Sequence, residues 1–173
     1  MSGHPFAARS ASTAAGLLAA IAAVAVTVRL AGASSAARGW LALEFSRPPA
    51  TPTAAIAVAA SNLRLAGAVL LAALLVGLLP ETRPALDIVM GALAGLNATA
   101  VGVALAAYGT RLLAVAAHAP LELAAFAVAG GAYLSARRRP LGGRQLIAAA
   151  AASSLFLAAA AVLETYVQVG AGA

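Results

Sequence analysis

Apolar residues fill this chain in long blocks, and polar residues are confined to short breaks between them. Five blocks stand out, at about 14–33, 55–79, 85–108, 112–136 and 145–167. Each is close to the ~20 residues that a helix needs to cross the hydrocarbon core of a bilayer. The breaks are Pro48-Pro49-Ala50-Thr51-Pro52, Pro80-Glu81-Thr82-Arg83-Pro84, Gly109-Thr110-Arg111 and the basic stretch 137–144. Proline, glycine and charge at such positions separate helical hairpins. The pattern predicts an all-α fold: one membrane domain over residues 1–173, a polytopic bundle of about five transmembrane helices. Within the 34–54 connection, residues 39–45 carry Trp40 and Phe45 and predict a short helix lying at headgroup level. The first block also has signal-peptide features: a basic start, an apolar core at 17–28 and small residues at 31–37. Its spanning length favours a retained helix.

Composition agrees with the pattern. The 173 residues are 63% hydrophobic and only 9% charged, against roughly 25% charged in a soluble domain. Net charge is +6, and all 11 basic residues are arginine. Nucleic-acid binding would need a basic face with aromatic platforms on a soluble module, and neither pattern is present. The arginines instead set orientation. Five spans place Arg9, Arg83, Arg137, Arg138, Arg139 and Arg144 on the N-terminal side, and Arg29, Arg38, Arg47 and Arg111 on the other. The positive-inside rule then predicts a cytoplasmic N-terminus and an outside C-terminus, with Arg137, Arg138, Arg139 and Arg144 anchoring the inner surface. A bacterial cell membrane, crossed several times, is the expected location. Without cysteine there is no disulfide, thiolate nucleophile or cysteine metal site.

Against this apolar background the few polar positions inside the blocks are conspicuous. A charged side chain at the centre of a bilayer costs roughly 2.5–3.5 kcal/mol on insertion scales, so it needs a partner. His118 and Glu122 lie in the fourth block at i,i+4, which on a continuous helix puts both on one face. With the predicted orientation, Asn62 and Arg64 fall in the outer third of the second span and Asn97 near mid-membrane. His118 falls in the outer half, Glu122 near the middle and Glu164 in the outermost turn of the last span. These depths predict one outer-leaflet cluster of Asn62, Arg64, Asn97, His118, Glu122 and Glu164, with Arg64 and Arg111 balancing the two glutamates. Asp87 falls near the inner boundary. Pro120 predicts a kink that frees the Ala116 carbonyl, Gly130-Gly131 a loosened inner end of the fourth span, and Gly91-x-x-x-Gly95 a close helix approach.

The cluster is expected to be interhelical glue or a docking site, because nothing completes a catalytic set. His118-x-x-x-Glu122 lacks the second histidine of a zinc-protease helix, and His4 is the only other histidine. No metal and no cofactor is expected. No glycine-rich phosphate loop is present, so the chain is not itself an ATPase.

Four short segments resemble the stage II sporulation protein M family. Ala117-His118-Ala119-Pro120-Leu121-Glu122-Leu123-Ala124-Ala125 is similar to its Pro-His-Gly-x-x-Glu-Leu-Pro-Ala signature. Ser61-Asn62-Leu63-Arg64 is similar to its Asn-Asn-Ile-Arg. Leu96-Asn97 with Gly102 is similar to its Leu-Asn-Gly-x-x-x-Gly, and Val162-Leu163-Glu164-Thr165-Tyr166 to its terminal Leu-Ile-Glu-Ala-Phe. The matches run in order over about residues 60–167, with Ala117, Ala98 and Ala119 replacing family Pro and Gly positions. The resemblance implies a five-span membrane protein, N-terminus inside, that in spore formers scaffolds a peptidoglycan-degrading machine. Relatives outside spore formers are similar to components of membrane operons with ATPases, ABC-type exporters or bacteriocin immunity systems. The expectation is therefore a non-enzymatic membrane scaffold or assembly subunit docking partners through the cluster. The alternatives are a transmembrane subunit of an ABC-type export or immunity system, and an intramembrane metal site or hydrolase centred on His118 and Glu122. Expected partners are the lipid bilayer and other membrane proteins, an ATPase-containing complex among them, or further copies of the chain, but not nucleic acid.

Overall fold

In hydrocarbon no water is present to satisfy backbone N–H and C=O groups, so a spanning segment that is not part of a closed barrel must be helical. The computed structural model describes residues 4–41, 50–109, 111–112 and 117–166, and every long element among them is a helix. In chain order these are α1 (His4–Leu30), α2 (Ser34–Leu41), α3 (Pro52–Leu78), a single 3-10 turn (Pro80–Thr82), α4 (Arg83–Tyr108), α5 (Ala119–Ala136) and α6 (Gly143–Tyr166). Five of them are long and apolar enough to cross a membrane, as the block pattern predicts, and the chain is a multi-pass membrane protein.

Local chemistry sets the helix ends. α1 begins ten residues before the predicted span, because the hydroxyls of its polar start satisfy themselves. Ser10 Oγ donates to the Phe6 carbonyl at 3.2 Å, and Ser12 and Thr13 donate to that of Arg9 at 2.9 and 2.8 Å. α1 stops in a Schellman turn, with Gly32 at φ 67°, Gly32 N–H bonded to Arg29 O and Ala33 N–H to Val28 O. α2 covers residues 39–41 of the predicted interfacial helix, and residues 42–45, Phe45 among them, lie outside the described residues. Trp40 is 81% exposed, suited to a headgroup position. Thr51 caps α3 by accepting from Ala54 N–H, with Pro52 in the first turn where no N–H is needed.

The largest departure is α5. The predicted span began at 112, but the helix begins at Ala119 with His118 as its cap residue. Pro120 is the reason. Inside a helix it would break a hydrogen bond, whereas in the first turn its missing N–H costs nothing. Pro120 therefore starts this helix and does not kink it. Residue Ala116, whose carbonyl the kink was to free, lies outside the described residues.

α5 sits at the centre, packed against α1, α3 and α6, while α4 packs mainly on α1 and α2 and only weakly on α3. The core is built mostly from alanine: Ala72, Ala73 and Val76 of α3 meet Ala132, Tyr133 and Ala136 of α5 and Ala149 of α6. A second layer joins Ala66, Ala125 and Leu157. Small side chains let backbones approach, which matters where lipid removes the hydrophobic drive between helices. The glycines that serve this purpose are not those of the Gly91-x-x-x-Gly95 motif, where an added Cβ would meet nothing within 4 Å. A Cβ on Gly102 would lie 2.7 Å from Ile21 O of α1, one on Gly130 2.7 Å from Thr13 Cγ2, and one on Gly131 2.9 Å from Ser10 Cα. Gly130-Gly131 thus does not loosen α5 but admits α1 against it.

Candidate functional site

Three helices converge near the N-terminal end of α5. Glu122 lies in the first turn of α5, where the helix dipole favours a negative charge. Asn62 of α3 donates from Nδ2 to Glu122 Oε1, bridging the two helices. Glu164 comes from the last turn of α6. The ring of His118 faces both carboxylates, its Nε2 lying 3.9 Å from Glu122 Oε2 and 4.0 Å from Glu164 Oε2. These separations exceed hydrogen-bond length, so the three groups surround a gap. His118, Glu122 and Glu164 each offer one ligand-type atom, and the three atoms lie within 4.8 Å of one another. The side chains are only 19–30% exposed. His118 Nδ1 is buried and has no hydrogen-bond partner among the described residues.

Four of the six predicted cluster residues therefore come together: Asn62, His118, Glu122 and Glu164. Arg64 and Asn97 do not join them. Arg64 is two residues from Asn62 on α3, a rotation of about 200° that turns it to the opposite face. It is exposed, with no ion pair or hydrogen bond among the described residues. Asn97 is exposed as well, and its Nδ2 donates within its own helix to Leu93 O at 2.8 Å. The cause is position: α4 leans on α1 and α2, away from α3 and α6. Arg111 is also exposed and makes no ion pair among the described residues. Among the described residues, the expected balance of Arg64 and Arg111 against the two glutamates is absent, and His118 is the basic side chain that faces them.

Glu122 precedes Arg137 by fifteen residues, or about 22 Å of helix in a hydrocarbon layer about 30 Å thick. It therefore lies near one end of α5 and not at the middle of that helix. Asn97 is ten residues beyond Asp87, about 15 Å along α4, near the middle of that helix.

A second polar group at the opposite end of α5 was only half legible. Asp87 Oδ2 accepts from Arg137 at 2.7 Å, and Asp87 Oδ1 from the Tyr133 hydroxyl at 2.6 Å. Arg137, expected as a surface anchor, ties α5 to α4. The signal was available: an aspartate just inside one apolar block and an arginine just outside another, at the same membrane boundary. Arg29 was missed similarly. It donates to Leu105 O at 3.2 Å, placing a cation at the negative end of α4.

Set against protein-family models, curated proteins and solved structures, the chain matches none. The functional reading rests on the geometry.

Proposed function

We propose that this chain is a non-enzymatic assembly subunit of a bacterial membrane complex, with its arginine-rich turn facing the cytoplasm. The observation that carries this reading is the pair Arg64 and Asn97. Both sit inside spanning helices, both are exposed, and neither bonds to another helix among the described residues. Polar groups in that setting are expensive and are ordinarily satisfied by a neighbouring helix. The neighbour missing here is a helix of a second membrane protein, carrying a carboxylate for Arg64 and a hydrogen-bonding side chain for Asn97. Resemblance to the stage II sporulation protein M scaffold supports the same reading. Conduction is less well supported, because the core half nearer Arg137 is mostly alanine: Ala72, Ala73, Val76, Ala132, Ala136 and Ala149 surround Tyr133, whose hydroxyl is held by Asp87.

In-membrane photo-crosslinking tests this. A benzophenone side chain at Leu71, one heptad from Arg64, or at Val101, one turn from Asn97, should give a discrete protein adduct in the native membrane. The exposed Leu155 of α6 should give only lipid adducts. Arg64→Ala with Asn97→Ala should abolish the protein adduct. Lipid adducts alone at all three positions would overturn the proposal.

A further inference from the structure

Among the described residues, the His118 site carries more carboxylate than cationic charge. Two carboxylates face one imidazole, while Arg64 and Arg111, the cations expected to offset them, are exposed and make no ion pair among the described residues. With both carboxylates ionised, one imidazolium still leaves a net negative charge in a partly enclosed place, which a bound cation would offset. The geometry points to a divalent transition-metal ion, of the zinc class, bound by His118 Nε2, Glu122 Oε2 and Glu164 Oε2. This site does not depend on the assembly reading above.

Three observations converge on it. Nε2 lies 3.9 and 4.0 Å from the two Oε2 atoms, and one ligand-type atom of each residue lies within 4.8 Å of the other two, so a point central to three such atoms lies about 2.5 Å from each, near metal-bonding distance. Movements of about 0.3–0.5 Å would bring the atoms to zinc bonding distance. Asn62, by holding Glu122 Oε1, leaves Oε2 turned toward the gap, the role that outer partners play for metal-ligating carboxylates. The charge also closes: a neutral imidazole, two carboxylates and one dication sum to zero. One nitrogen with two oxygens suits zinc, manganese or iron better than calcium or magnesium, which prefer all-oxygen sites of higher coordination. The partial exposure leaves a route for the ion and a fourth position for water.

The test uses tag-free, full-length chain in lipid nanodiscs, dialysed against buffered Zn2+ and assayed by elemental analysis. One zinc per chain is expected. His118→Ala and Glu164→Gln should each weaken binding about a hundredfold or more, beyond the roughly 10–100-fold typical of losing an outer partner. His4→Ala should leave it unchanged. Substoichiometric zinc, or binding that survives His118→Ala, would overturn the proposal. The unaltered chain supplies a check free of folding defects. Added Co2+ should produce the visible absorption of a low-symmetry nitrogen–oxygen site, displaced by Zn2+ but not by excess Mg2+; a spectrum identical to aqueous Co2+ also overturns it.

Discussion

Replacing Asn62 by alanine separates the observed site from the larger cluster that depth alone suggested. The lost contact is one interhelical hydrogen bond from Asn62 Nδ2 to Glu122 Oε1. Interhelical hydrogen bonds in membranes average about 0.6 kcal/mol, because the separated helices find other partners. A carboxylate acceptor roughly doubles the strength of such a bond. The expected coupling between Asn62→Ala and Glu122→Ala is therefore about 1.2 kcal/mol, or about eightfold in the folding equilibrium, using 1.36 kcal/mol per factor of ten. Asn97 gives the contrast. Its bond to Leu93 O stays within α4, so Asn97→Ala should couple to Glu122→Ala by less than about 0.3 kcal/mol, the additivity expected of sites without shared partners. The assay is a double-mutant cycle measured by reversible unfolding in mixed micelles, followed by far-ultraviolet circular dichroism. Equal coupling for Asn62 and Asn97, or none for Asn62, would refute the placement of α4 away from this site.

Other expectations follow from the packing. Leu157→Ala should cost about 2 kcal/mol, since lipid removes most of the transfer penalty and leaves the cavity term, while Leu155→Ala on the lipid-facing side should cost almost nothing; thermal unfolding of the two variants compares them. Gly131→Leu should force α1 off α5, because even a Cβ would lie 2.9 Å from Ser10 Cα, and protease sensitivity of the α1–α2 turn should rise; unchanged protection would contradict the close approach. Asp87→Asn should destabilise the bundle by at least about 1 kcal/mol, as Arg137 and Tyr133 both lose a charged acceptor, and high salt should erase little of that loss because the pair is only partly exposed. Cysteines at Arg38 and Arg138 should label from outside and inside respectively with a membrane-impermeant maleimide; the reverse pattern would invert the proposed orientation.

Helix number and approximate limits were legible because lipid leaves the backbone so few options. Five apolar blocks are hard to misread when only a helix can satisfy their backbones. What could not be read was which face each polar residue takes, and the errors have simple causes. Asn62 and Arg64 share a depth, yet at i,i+2 they cannot share a partner. Pro120 was treated as a mid-helix proline because the apolar block continues upstream to Leu112, and hydropathy does not record where a helix starts. Asn97 has a suitable side chain but belongs to a helix that packs on α1 through Gly102, a preference carried by shape complementarity to Ile21 and Val24. The Gly91-x-x-x-Gly95 spacing was a weak guide for the reverse reason: a notch on one helix means nothing without a ridge facing it.

The two polar groups on α5 explain how so thin a core holds one arrangement. Alanine-lined helices slide easily, since neighbouring registers bury similar methyl surfaces and lipid imposes no hydrophobic penalty for choosing among them. α5 is the shortest span, 18 residues, packs on three others and reaches a fourth, α4, through polar side chains. Its first turn is tied through Glu122 to Asn62 of α3, and His118 at its cap faces Glu164 of α6. Its far end is tied through Tyr133 and Arg137 to Asp87 of α4. A one-residue slip moves a side chain about 1.5 Å along the axis and 100° around it, enough to break a directional bond. Slipping against α3 would lose one tie and slipping against α4 the other, so the two ends together fix the register of the central helix. A metal ion bound between His118, Glu122 and Glu164 would add α6 to the same lock. On this argument the His118 site governs assembly of the bundle itself, leaving Arg64 and Asn97 free for a partner.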